Sequence, residues 1–136
     1  MRAIDQTTRP AGPADPSNFV LPAHFQRLLG PADGLPVRLY RVAFDEGAQT
    51  HWHTHDDVQL LYGLSGRCVV VTRAGEKVVL NPGDVVAIDP GEEHWHGAAP
   101  GTAGEHLGDG PCCPVYEYPS RVWRASDHEI RVRGPA

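Results

Sequence analysis

The chain has 136 residues, 15 glycines, 13 prolines and a formal charge of −5. That length supports one domain with a core of its own, and the density of Gly and Pro excludes long helices. The acidic balance, with basic residues scattered except near the C-terminal end, excludes nucleic acid as an expected partner.

Residues 1–19 contain no apolar run of signal-peptide length, and no later segment is long enough to span a membrane, so no membrane partner is expected. Three cysteines, with Cys112 and Cys113 adjacent, make no disulfide framework and point to a reducing, cytoplasmic setting. Residues 1–18 are polar and rich in Pro, Ala and Asp, and read either as an arm lying across a neighbouring sheet or as a disordered tail. Residues 19–29 are apolar enough to dock, and a short helix is expected between residues 22 and 29, after Pro22. A turn at residues 30–36 closes this N-terminal arm.

From Val37 onward the pattern is strand after strand. Residues 37–44 are β-rich and stop at the turn Asp45-Glu46-Gly47. A histidine-bearing strand follows, then residues 59–62, a glycine turn to Gly66, and the β-branched run at residues 67–73. Ala74-Gly75-Glu76 turns into residues 77–80, Asn81-Pro82-Gly83-Asp84 into residues 85–88, and Asp89-Pro90-Gly91-Glu92 into residues 94–96. Further strands are expected at residues 104–107, 115–118, 121–123 and 129–132. Short strands at this spacing, bounded by Gly, Pro or Asp, define an all-β barrel or jelly roll.

Six of the eight histidines fall between His51 and His106. His51, His53 and His55 alternate, and alternate residues of a strand share a face, so their imidazoles are expected to converge. Imidazole nitrogens with an amide oxygen nearby suit a divalent ion such as Mn, Fe, Ni, Cu or Zn. A glutamine ligand leaves the full +2 charge on the ion, and no carboxylate stands by as base; His106, His96 and His51 are the candidates for that work. Trp52 and Trp95 alternate with the histidines and should face away from them. Tyr40, Val42, Leu61, Val71 and Ile88 read as barrel core, with Tyr40 and Val42 in the right parity to line a pocket mouth. His24 and His128 read as surface residues, Cys112-Cys113 as a loop with free thiols, and Arg121, Arg124, Arg131 and Arg133 as a solvated or interface cluster.

The spacing Gly47-x5-His53-x-His55-x3-Gln59-x6-Gly66 resembles the first cupin motif, with Gln59 where that superfamily usually has Glu. Gly83 to Ala98 resembles the second, with Asp89 and Ala98 replacing the usual Pro and Asn. The resemblance covers roughly residues 37–107. It implies a cupin jelly-roll barrel (a double-stranded β-helix) across residues 1–136, with residues 1–36 as the arm. RPAGPAD at residues 9–15, the two motif segments and GEHLG at residues 104–108 further resemble small single-domain cupins. That group includes bacterial manganese-dependent hydroxynitrile lyases and carboxymuconolactone decarboxylase-associated cupins.

Carried over, the resemblance implies one divalent ion per chain, manganese first, held by His53, His55, Gln59 and His94. It implies His106 as base; His96, which shares a strand face with His94, reads from its own position as an acid–base, orienting or cavity-lining group. The expected function is a metal-dependent lyase acting on a small organic molecule by hydroxynitrile-type or related C–C cleavage, or by decarboxylation. A metal-dependent dioxygenase and a non-catalytic binder of small ligands or metal are the alternatives. A homodimer is expected, because this fold commonly exchanges N-terminal strands or pairs sheet edges.

Overall fold

The computed structural model describes residues 1–111 and 122–123. Its strands are β1 (Gly12–Pro13), β2 (Phe19–Val20), β3 (Ala23–Leu29), β4 (Val37–Phe44), β5 (Gln49–Thr50), β6 (Trp52–His53) and β7 (Gln59–Gly66). After these come β8 (Cys68–Thr72), β9 (Lys77–Leu80), β10 (Val85–Ile88), β11 (His94–Ala98), β12 (Gly104–Pro111) and β13 (Val122–Trp123). One sheet runs β1-β3-β4-β12-β7-β10 and the second β13-β6-β11-β5-β2, with β8 joining β11 and β9. The pairings are antiparallel, and the two sheets make a jelly roll.

The turns fall where Gly, Pro and Asp mark them. Ala48 N–H closes on Asp45 carbonyl at 2.9 Å, Asp84 N–H on Asn81 carbonyl at 2.9 Å, and Glu92 N–H on Asp89 carbonyl at 3.1 Å. Gly47, Gly83 and Gly91, one in each turn, take positive φ, which their missing Cβ permits. Gly66 is doubly constrained: its φ is +60°, and a Cβ there would collide with the Ala103 carbonyl across the sheet.

Residues 23–29 form strand β3, not the expected helix. Their Leu, Gln and Arg favour helix locally, but β4 on one side and β1 on the other both need hydrogen-bond partners. Pairing sets Ala23 opposite Phe44, Phe25 opposite Val42 and Arg27 opposite Tyr40. The arm also folds back on its own chain. Arg9 makes a two-pronged pair with Asp33 (2.7 and 2.8 Å) and donates to Leu28 carbonyl, while buried Gln26 donates to Arg9 carbonyl at 2.8 Å.

Val42, Phe44, Leu61, Val70, Leu80 and Ile88 fill the space between the sheets, with Phe19, Phe25 and Tyr40 packed against them. A second cluster (Trp52, Val69, Val71, Trp95 and Ala99) forms apart from it. The tryptophans do turn away from the histidines. Val71 turns with them, so it leaves the barrel interior where it was expected. Both faces of β8 are thus covered, which accounts for its unbroken apolar run.

The strands expected at residues 115–118 and 129–132 lie outside the described residues, as do Cys112, Cys113, His128 and the side chains of the Arg cluster. Val122–Trp123 does form a strand, paired with Trp52–His53. Among the described residues no helix is long and apolar enough to cross a membrane.

Leu61 is fully enclosed at the centre of this packing. Leu61→Ala is expected to cost about 2–5 kcal/mol of stability, read as a lowered urea midpoint at unchanged m-value.

Candidate metal centre

The histidine strand is interrupted. Gln49 pairs with Gly97 and His53 with His94, so four steps along one strand face three along β11. The extra residue is a β-bulge at His51, and it resets the alternation. Thr50 therefore faces inward, accepting the His96 N–H on its hydroxyl at 3.1 Å, while the His51 ring lies 3.4 Å from Pro16 carbonyl. His51 does not join the cluster, contrary to the expectation from simple alternation.

The other five histidines of the segment do converge. Ring centroids lie 4.7 Å apart for His53–His55, 4.4 Å for His53–His94, 5.5 Å for His55–His94, 5.7 Å for His94–His96 and 4.9 Å for His96–His106. Ligand nitrogens of His53, His94 and His96 come within 4.8 Å of one another. This tight trio includes His96, which lies outside the motif spacing, and it leaves His55 at its edge. Gln59, at the start of β7 in the opposite sheet, brings its Oε1 to 3.1 Å from His94 Nε2.

Hydrogen bonds fix the imidazoles. His53 Nδ1 donates to His51 carbonyl and His94 Nδ1 to Glu92 carbonyl, both at 2.8 Å. A carbonyl only accepts, so each Nδ1 carries the proton and each Nε2 is left with a lone pair. Burial pushes His94 down from its ordinary pKa. Burial also pushes His53 well down, helped by the charges of His94 and His55. His55 is pushed down to about 4 by burial and then by His94, with Gln59 opposing and Arg38 adding to the fall. His96 is lowered well below the usual value by burial and by His106, and His106 falls to about 4 through burial. The cluster is neutral at pH 7, the form that ligates a metal.

The residues fit a divalent ion. His94 Nε2 and Gln59 Oε1 are both acceptors, yet they face each other at 3.1 Å. A cation between or beside them turns that repulsion into coordination.

A cavity of about 240 Å³ opens onto the cluster. Its wall includes His53, His55, Gln59, His96, Thr50 and Val42, an aromatic shelf of Phe25 and Tyr40, and exposed Arg27 with half-buried Arg38. His106 lies behind His96, with its Nε2 3.1 Å from His96 Nδ1. Thr50, Phe19, Phe25 and Arg27 carried no signal of this role in the sequence. Thr50 is hidden by the bulge, and the other three lie in the arm, where no motif runs. Tyr40 was legible only by its parity with Val42.

A two-sheet jelly roll with a buried histidine cluster between its sheets defines a β-barrel able to hold a metal ion. The Cupin domain family matches residues 40–105, and a cupin-like protein from Thermotoga maritima is 33% identical over 76% of this chain and 77% of that one, with a TM-score of 0.71. This chain belongs to the cupin family. An (R)-mandelonitrile lyase from Granulicella tundricola is 52% identical over 67 residues, which cover 48% of this chain and 50% of that protein. The chain thus spans about half the length of that relative. The polyketide cyclase RemF from Streptomyces resistomycificus, 23% identical with a TM-score of 0.68 over 85% of this chain and 82% of its own, shares the fold.

Removing metal should expose the cost of keeping His106 neutral. Its folded pKa of about 4 lies below the ordinary 6.5, so the unfolded chain takes up the proton first as pH falls. Stability of the metal-free chain is expected to be full above pH 6.5 and to drop progressively toward pH 4, by about 3 kcal/mol from this group alone. Denaturant melts of chelator-treated protein across that range check it.

Proposed function

We propose that this cupin is a metal-dependent lyase that cleaves a small α-hydroxynitrile into an aldehyde and cyanide. The observation that carries the reading is the neutral histidine cluster at the wall of a small, largely apolar cavity. The identity with a mandelonitrile lyase supports the choice of substrate class. In this reading His53, His55, Gln59 and His94 hold one divalent ion, manganese first. When bound, the ion would supply a positive charge that makes a hydroxyl placed beside it more acidic and stabilises the anion left behind.

The chain's own residues do the rest. His96 lines the cavity, and with its Nδ1 donating to His106 Nε2 it keeps a lone pair on the other nitrogen. That nitrogen takes the hydroxyl proton of the substrate. The carbon–cyanide bond then breaks with its electron pair leaving on cyanide, and the carbonyl forms. Cyanide takes the proton from His96 and leaves as hydrogen cyanide. His106 accepts from Nδ1 throughout, holding the tautomer and stabilising the imidazolium that forms for an instant. Val42 and the Phe25–Tyr40 shelf exclude water and give the organic part of the substrate an apolar wall.

Protein loaded with Mn(II) is expected to release aldehyde from mandelonitrile, followed by absorbance. His53→Ala/His94→Ala should lose both the metal and the activity. His96→Ala should keep its metal, by elemental analysis, and lose at least about 100-fold in turnover. Oxygen uptake without aldehyde release would replace the lyase with an oxygenase. Loss of metal in His96→Ala would make His96 a ligand rather than the base.

A further inference from the structure

Tyr40 sits in the cavity wall in a way that the motif residues do not explain. Its hydroxyl lies 2.5 Å from Gln59 Nε2, while the other end of the same amide, Oε1, faces His94 Nε2 at 3.1 Å. Gln59 is buried, so each end of its amide must find its partner in the protein. Three neighbours fix Tyr40 itself. Phe25 stacks on its ring with centroids 5.2 Å apart and planes 20° apart. Gln59 holds the hydroxyl. Gly108 on β12 supplies the slot: a Cβ there would stand 2.5 Å from Tyr40 Cζ and 2.6 Å from Oη.

We propose that Tyr40 is a positioning residue that orients Gln59 as a metal ligand, by accepting from the amide N–H and so presenting the amide oxygen to the histidine cluster. An amide differs from a carboxylate in this need. Either oxygen of a Glu at this position would serve, whereas Gln59 ligates only when its oxygen faces the ion. The reversed amide would place Nε2–H on the His94 lone pair and take the Tyr40 O–H on Oε1, removing the oxygen from the site. The observed orientation instead turns Nε2–H to Tyr40 and Oε1 to the cluster. Accepting from the N–H side also pushes electron density toward Oε1. That raises its basicity as a ligand, much as the outer partner of a metal-bound histidine does. A bound dication in turn makes the amide N–H a stronger donor to Tyr40, so ligation and the outer hydrogen bond support each other.

The inference rests on the metal reading above, and the two are separable by experiment. Mn(II) affinity is measured by chelator competition, with free Mn(II) followed by electron paramagnetic resonance, for wild type, Tyr40→Phe, Gln59→Ala and the double variant. Phe keeps the stack on Phe25 and the fit against Gly108, and removes only the hydroxyl. Tyr40→Phe is expected to bind Mn(II) 10–100-fold more weakly than wild type at a similar melting temperature. In the Gln59→Ala background the same change should do nothing, because the group through which Tyr40 acts is gone. Gly108→Ala, which drives the Tyr40 ring out of its slot, should reproduce the loss.

Equal Mn(II) affinity in Tyr40→Phe and wild type overturns the role of Tyr40 while leaving the metal site standing. The same fold loss with and without Gln59 also overturns it, since Tyr40 would then act by packing or cavity polarity. A wild-type chain that takes up no Mn(II) overturns the metal reading and this inference with it.

Discussion

Everything near the centre of this barrel answers to one constraint: imidazoles and an amide are enclosed where water cannot solvate their charge or satisfy their lone pairs. His94 and His106 are fully buried and His53 and His96 nearly so. Such groups must stay neutral and must each be assigned a partner. The chain meets this with atoms it already has. The carbonyls of His51 and Glu92 fix two tautomers, and the His106 ring meets the far side of the His96 ring. After these assignments the two acceptors of His94 and Gln59 still face each other. A cation held there would turn that repulsion into coordination.

The fold and the convergence of the histidines were legible from the sequence because each rests on local chemistry. Turns announced themselves through Gly, Pro and Asp, and β8 through its run of valines. The two motif spacings pointed to His53, His55, Gln59 and His94 without any knowledge of the sheets. What escaped depends on contacts distant in sequence. β3 looked helical because its own residues allow it, and only the edges of β1 and β4 make it a strand. His96 looked like a neighbour of the motif histidines, yet β11 carries its ring nitrogen within 4.8 Å of those of His53 and His94. The hold of Tyr40 on Gln59 spans two strands of one sheet that are separated by β12, and no spacing rule records it.

The N-terminal segment changes meaning in the folded chain. Read alone it is a polar arm with no evident task. Folded, it supplies β1 and β2 at the edges of the two sheets and β3 between β1 and β4, and Asn18, Phe19, Phe25 and Arg27 become part of the cavity wall. The family match begins at residue 40, so a large share of the cavity wall comes from outside the matched region. The histidine end of the cavity lies inside the matched region. The opposite wall is built largely from residues outside that match.

The bulge at His51 acts like one letter inserted into a line read in pairs. Downstream of it, counting by twos from His53 finds inward residues; upstream, the same count arrives at His51 when the residue inside is Thr50. In this chain, a count by twos that runs backward from the first motif histidine is out of phase by one across this point. It will assign surface chemistry to the interior and interior chemistry to the surface. The phase has to be taken from β11, whose unbroken pairing with β8 keeps the true frame.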